Sequence, residues 1–137
     1  LDGLVSWGNV DLIKSIFQYF DHEDIDKLQK LSCKYGNGEL MEYLNAKGYG
    51  FHRSHICTLF KYGHKELIDK WCDNKNIKEN AEYYSADAAR SNLLSYLYNK
   101  NSLYIDSLTF YYAAKSGRKE NLDLLFNIAG REAYILR

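Results

Sequence analysis

Along the chain, apolar residues fall in short clusters that repeat one spacing. Gly8 is followed by Asp11, Leu12, Ile13 and Ile16; Gly36 by Glu39, Leu40, Met41 and Leu44; Gly63 by Glu66, Leu67, Ile68 and Trp71. Near the C-terminus Gly117 is followed by Glu120, then Leu122 and Leu125, with one residue inserted before the apolar pair. Between them, Leu93, Leu94 and Leu97 supply the same triplet, while the glycine and acidic positions are shortened away. Five copies of one unit therefore follow each other about 27 residues apart, and such self-similarity decides the fold class before any motif does.

Apolar residues at i, i+1 and i+4 lie on one stripe of a helix, and the acidic residue just ahead of them falls in the first turn, where the helix dipole favours negative charge. The glycine ends the preceding helix, because positive φ costs it nothing. Each unit thus reads as a helix, a tight turn and a second helix. The turns fall near Gly8, Gly36, Gly63, Ser91 and Gly117. Helices are predicted at 9–20, 24–35, 38–47, 51–62, 64–74, 81–91, 92–100, 106–116 and 119–129, with loops at 48–50, 74–80 and 99–102. Leu44, Trp71, Leu97 and Leu125 occupy one inward position in successive units. Small pairs, Ser32 with Cys33, Ala88 with Ala89 and Ala113 with Ala114, precede the turns and let neighbouring helices approach closely. The expected fold is all-α, a single domain over 1–137 made of stacked helix-turn-helix units.

Composition narrows the function classes. With 137 residues, 46% of them apolar and 26% charged, the chain suits one globular domain. Lys plus Arg and Asp plus Glu are both 18, so no overall field draws the chain to nucleic acid or anionic lipid. No apolar run is long enough to span a bilayer. A start at Leu1 leads us to expect a piece of a longer protein. Three widely spaced cysteines, Cys33, Cys57 and Cys72, fit a reducing compartment better than a disulfide framework, which points to the cytoplasm.

Little of the sequence carries catalytic chemistry. There is no nucleophile elbow, phosphate-binding loop or dinucleotide fingerprint, and "GNGE" at 36–39 reads as a turn between helices. His52, His55 and Cys57 in "HRSHIC" could approach a metal with His64 or Cys72, but on a helix i and i+3 share a face while i+5 does not, so tetrahedral convergence fails. Cys57 is expected inward and the histidines exposed. "DHEDID" at 21–26 lacks the glycine and distant glutamate of a calcium loop, and reads as helix capping. No enzyme activity, cofactor or metal is expected.

"CKYGNGELMEYLNAKG", "FKYGHKELIDKWCDNK" and "AAKSGRKENLDLLFNIAG" resemble the second half of ankyrin repeats: Ala113, Ala114 and Gly117 fit the start of that pattern, Gly63, His64, Glu66, Leu67, Ile68 and Trp71 its middle, and Gly36 and Gly48 both ends. Ankyrin repeats run about 33 residues and open with T-P-L-H; this chain has no proline and its units are about six residues shorter. The resemblance therefore implies a helical solenoid in which the β-hairpins are absent or reduced to tight loops. Short, proline-free, Tyr- and Asn-rich units further resemble those of the multigene-family proteins of large cytoplasmic DNA viruses, the asfivirus group being nearest. That resemblance implies a protein of the host-cell cytoplasm that engages a host factor in innate immune or interferon signalling.

Tyrosines mark the candidate binding surface. Trp7, Tyr35 and Tyr62 stand directly before turn glycines, and Tyr83, Tyr84, Phe110, Tyr111 and Tyr112 lie on first helices. Adjacent helical residues diverge by about 100°, so one of Tyr83 and Tyr84, and one of Tyr111 and Tyr112, must be partly exposed. Tyrosine gives wide contact at small entropy loss. A partner surface is therefore expected at Tyr35, Tyr62, Tyr83, Tyr84, Tyr111 and Tyr112, flanked by Lys34, Lys61 and Lys115 two residues before their turns. The function this implies is a non-enzymatic protein-protein interaction module, with a capsid-associated or other assembly subunit as the alternative; the partner is another protein, host or self, with oligomerisation open, and neither nucleic acid nor membrane is expected.

Overall fold

The repeated helical stripe produces repeated helices. The structure, a computed structural model, describes residues 1–135, and side chains through residue 131. Among the described residues there are α-helices and one 3-10 turn, and no strand. The helices are α1 (Asp2–Ser6), α2 (Val10–Ile16), α3 (His22–Lys34), α4 (Gly38–Ala46), α5 (Arg53–Lys61), α6 (Lys65–Trp71), α7 (Asn74–Glu79), α8 (Ala81–Ala88), α9 (Leu94–Asn99), α10 (Ser107–Ser116) and α11 (Lys119–Ile135).

Turn chemistry explains most boundaries. Gly8, Gly36, Gly63 and Gly117 have φ of 72°, 66°, 78° and 68°, a region that side-chain-bearing residues enter at a cost. Asn9 and Asn37, directly after two of these glycines, accept the amide hydrogens of Leu12 and Leu40 and so start α2 and α4. Asp21 accepts from the amide of Asp24, whose carboxylate accepts in turn from the amide of Asp21, so the acidic cluster at 21–26 caps α3.

Helices α1, α3, α5, α8 and α10 pack one against the next, and α2, α4, α6, α9 and α11 each follow their turn back along that row. Ile13, Met41, Ile68 and Leu94, the second apolar residue of each triplet, are fully buried. Each such burial contributes about 1.5–3 kcal/mol. The small pairs act as spacing requires at Ser32, Cys33, Ala88, Ala89 and Ala113, all buried, whereas Ala114 is exposed. One core gathers Val5, Val10, Ile13, Leu28, Leu40 and Leu44; a larger one runs from Cys33 and Met41 through Phe60 and Tyr84 to Leu125, and Phe51 touches both.

Several expectations are corrected. The helix predicted at 9–20 ends at Ile16 and gives way to a 3-10 turn at Phe17–Tyr19, because Phe17 turns inward and meets Tyr43 and Tyr49 edge-on, ring centres 5.4 and 6.1 Å away. The loop expected at 74–80 contains α7: Asp73 caps it by accepting from the Asn76 amide, and Ile77 plugs the core. Helix α1, Asp2–Ser6, anchored by buried Val5, forms where no helix was expected. Leu44, Leu97 and Leu125 are fully buried as the register requires. Trp71 is only half-buried: its ring tilts against Phe51 at 5.3 Å, and its indole N–H is buried without a partner.

Candidate functional site: a cation–tyrosine edge at the turns

Side-chain bonds from one unit to the next fix the line of turns. Ser91 Oγ donates to the Phe60 carbonyl at 2.6 Å, and Ser116 Oγ to the Ala89 carbonyl at 3.1 Å. His64 Nε2 lies 2.8 Å from the Lys34 carbonyl oxygen, and Asn121 Nδ2 donates to the Ser91 carbonyl at 2.6 Å. The two serine rungs are equivalent, so "AARS" at 88–91 and "AAKS" at 113–116 share one register. Arg90 therefore stands where Lys34, Lys61 and Lys115 stand in the other units.

These four cations form a series at the C-terminal ends of α3, α5, α8 and α10, where carbonyl groups left without helical partners attract positive charge. Their neighbours are tyrosine rings. Lys34 Nζ lies 5.3 Å from the ring centre of Tyr35 and 5.9 Å from that of Tyr62; Lys61 Nζ lies 5.4 Å from Tyr62. The Arg90 guanidinium lies 3.8 Å from the centre of Tyr112, and Lys115 Nζ is 5.8 Å from Tyr111. Such contacts contribute about 0.5–1 kcal/mol each at exposed sites. They also hold long side chains in place at the surface.

Of the predicted surface, Tyr35, Tyr62 and Tyr111 are 38%, 43% and 57% exposed, Tyr112 is half-buried, and with Lys34, Lys61 and Lys115 they line this edge. The Tyr35 hydroxyl donates to Asp2, and that carboxylate pushes its pKa up. Tyr83 does not belong to the edge: it is exposed at the N-terminal end of α8, under the Arg53 guanidinium at 3.8 Å. Tyr84 is withdrawn from the surface. It is wholly buried, stacked on Phe60, and its hydroxyl donates to Asn76 Oδ1 at 2.9 Å. One tyrosine of each adjacent pair is thus exposed, but at 83–84 only Tyr83 remains available.

Between the third and fifth units the edge opens into a cleft of about 470 Å³ lined by Lys61, Tyr62, Gly63, Arg90, Ser91, Asn92 and Arg118. A second hollow, lined by Lys61, Arg90, Tyr112, Lys115 and Ser116, shares Lys61 and Arg90 with the first, so the two form one trough. Arg90 Nη1 is 3.8 Å from the Asp87 carboxylate, to which the Cys57 thiol donates; burial raises the pKa of Asp87, opposed by Cys57, Arg90 and Lys61. Arg90 and Arg118 were missed in the sequence. The signal for Arg90 was present in the match of "AARS" to "AAKS"; Arg118 has none, since the corresponding positions after the turns are Asn37, His64 and Leu93.

The histidine and cysteine candidates do not assemble. His55 is buried, contrary to the exposed position expected for it: its Nδ1 accepts the His52 amide hydrogen at 3.0 Å and its Nε2 lies 3.6 Å from Asp26. Cys57 is half-buried. Among the described residues no three His, Cys, Asp or Glu side chains are placed to hold a metal ion, and no helix is long and apolar enough to cross a membrane. No family model, curated protein or solved structure matches the chain.

Proposed function

We propose that this chain is a stack of short ankyrin-like repeats acting as a non-enzymatic protein-protein interaction module whose binding edge is the line of turns. The observation that carries this reading is the cation–tyrosine series Lys34–Tyr35–Tyr62–Lys61–Arg90–Tyr112–Lys115–Tyr111, which runs over four successive units. Large exposed rings fixed by stacked cations present wide contact area with little left to order on binding, the property that makes tyrosine and arginine frequent anchors of interfaces. A stack of helix pairs presents such anchors at regular intervals. By analogy with the asfivirus-like proteins that the short repeats resemble, we propose a host protein of innate immune signalling as the partner and the cytoplasm as the place of action.

The test is capture from cell lysate with identification of bound proteins, comparing the parent chain with a Tyr35→Ala, Tyr62→Ala, Tyr111→Ala variant of matched thermal stability. A partner retained by the parent and lost by the variant supports the module; capture that ignores these rings removes it.

One observation favours the alternative, an assembly subunit. Trp7 and Phe126, in the first and last units, are 85% and 63% exposed, and apolar surface at the two ends of a stack is what further copies would cover. Light scattering over a concentration series distinguishes the two, since only the assembly subunit grows with concentration.

A further inference from the structure

The trough on the edge gathers cations without a carboxylate among its lining residues. On the second helices, cations meet carboxylates of the neighbouring unit: Lys14 with Glu39, Lys70 with Glu42, Lys100 with Asp69. Within α3 and α7, Lys30 pairs with Asp26 and Lys75 with Glu79. The residues lining the trough include Lys61, Arg90, Lys115 and Arg118 and no carboxylate. Asp87 lies 3.8 Å from Arg90 Nη1 and does not line the trough, and the guanidinium sits 3.8 Å from the Tyr112 ring centre.

We propose that this trough binds an acidic segment of a partner protein, its carboxylates held by Arg90 and Arg118 and flanked by Lys61 and Lys115. The proposal rests on reading the chain as a protein-binding module. Guanidinium groups take carboxylate oxygens in paired, planar hydrogen bonds, while lysines add charge without fixed geometry. The rings of Tyr62 and Tyr112 form walls for the apolar parts of the segment. A peptide fits better than a nucleic acid. The chain has 18 cations and 18 anions, and the trough is short, whereas a polyanionic strand gains affinity by neutralising phosphates along an extended basic face. Lys61 and Arg90, shared by both hollows, place the positive centre between the third and fourth turns rather than at either end of the stack.

The experiment measures fluorescence anisotropy of a labelled twelve-residue peptide of alternating Glu and Ser against the purified chain. Parallel arms use its Gln-Ser version, its form with two phosphoserines, and a twelve-nucleotide single-stranded DNA. The expected result is binding of the Glu and phosphoserine peptides that weakens as salt rises, with little binding of the Gln-Ser peptide. Arg118→Glu, at an exposed position, should weaken the Glu peptide about tenfold, and Arg90→Gln should act in the same direction, whereas Lys78→Glu on α7 should change nothing. Should Arg90→Gln fail to fold, Arg118→Glu alone decides. Equal binding of Glu and Gln peptides, indifference to Arg118→Glu, or tighter binding of the oligonucleotide would overturn the proposal. A lysate partner that depends on the tyrosines but survives Arg118→Glu leaves the interaction module standing and removes the acidic segment; absence of any tyrosine-dependent partner removes the module itself.

Discussion

Tyr84 stacks face to face on Phe60, ring centres 4.7 Å apart and planes 18° apart, with neither side chain exposed. The pair joins α5 to α8 at the middle of the row. Tyr84→Ala would leave a ring-sized cavity and should destabilise the protein by about 3–5 kcal/mol. Tyr84→Phe loses only the bond to Asn76, and should cost about 0.5–1.5 kcal/mol. Urea denaturation of the two variants checks both; a mild Tyr84→Ala effect would mean that the stacked pair is not core.

The turn glycines separate by what lies opposite them. A methyl group on Gly36 would meet the His64 ring at 2.7 Å, the same ring that holds the Lys34 carbonyl, while one on Gly117 would meet nothing within 4 Å. Both substitutions force a side chain into positive φ at about 1–2 kcal/mol. Gly36→Ala should therefore cost more than Gly117→Ala. Equal melting temperatures for the two would count against the His64 contact.

Ser91 and Ser116 make the same rung at different depths. Ser91 is buried and donates to the Phe60 carbonyl inside the stack, which also accepts the Gly63 amide at 3.3 Å, so Ser91→Ala removes one of two buried bonds and should cost about 0.5–1.5 kcal/mol. Ser116 is exposed, water replaces its hydroxyl, and Ser116→Ala should stay within about 0.5 kcal/mol. Chemical denaturation measures the difference.

Burial, the larger influence on His55, lowers its pKa, and the Asp26 carboxylate opposes it. The unfolded chain then binds the proton more readily than the folded one. Stability from neutral His55 is full above the unfolded imidazole value of about 6.5 and is lost as pH falls below it. Asp26 itself is held below the usual carboxyl range, first by its hydrogen bond from Lys30, so its contribution is lost only in more acidic solution. Urea midpoints between pH 7.5 and 5 should fall in the parent chain, and fall less in His55→Gln.

Burial pushes the Cys33 and Cys57 thiols up to about 12 and Cys72 up to about 11. Since the thiolate is the reactive form, all three should react with a thiol reagent at pH 8 about a hundredfold or more slowly in the folded chain than in urea. One fast thiol in native buffer would show a side chain far more open than these.

The glycine turns, the acidic first turns and the buried second residue of each triplet were legible because each is local. A glycine at positive φ, or a stripe at i, i+1 and i+4, needs no knowledge of what packs against it. Helix α7 was not legible, since six residues without a full apolar stripe become a helix only when Ile77 finds the core. The depth of Trp71 was not legible either: its register is right, but its ring packs with Phe51 at the margin of the core and stays half-buried.

The sequence by itself determined the helical class, the repeat length and the lysines and tyrosines nearest the turns, because these follow from spacing along one chain. Tertiary structure decided which tyrosine of each pair faces water, placed Arg90 in line with the three lysines, and brought Arg118 to the same trough. Those outcomes depend on how far each helix is rotated against the next, and that rotation is set by contacts between residues about 30 apart, such as Ser91 on Phe60 and Asn121 on Ser91.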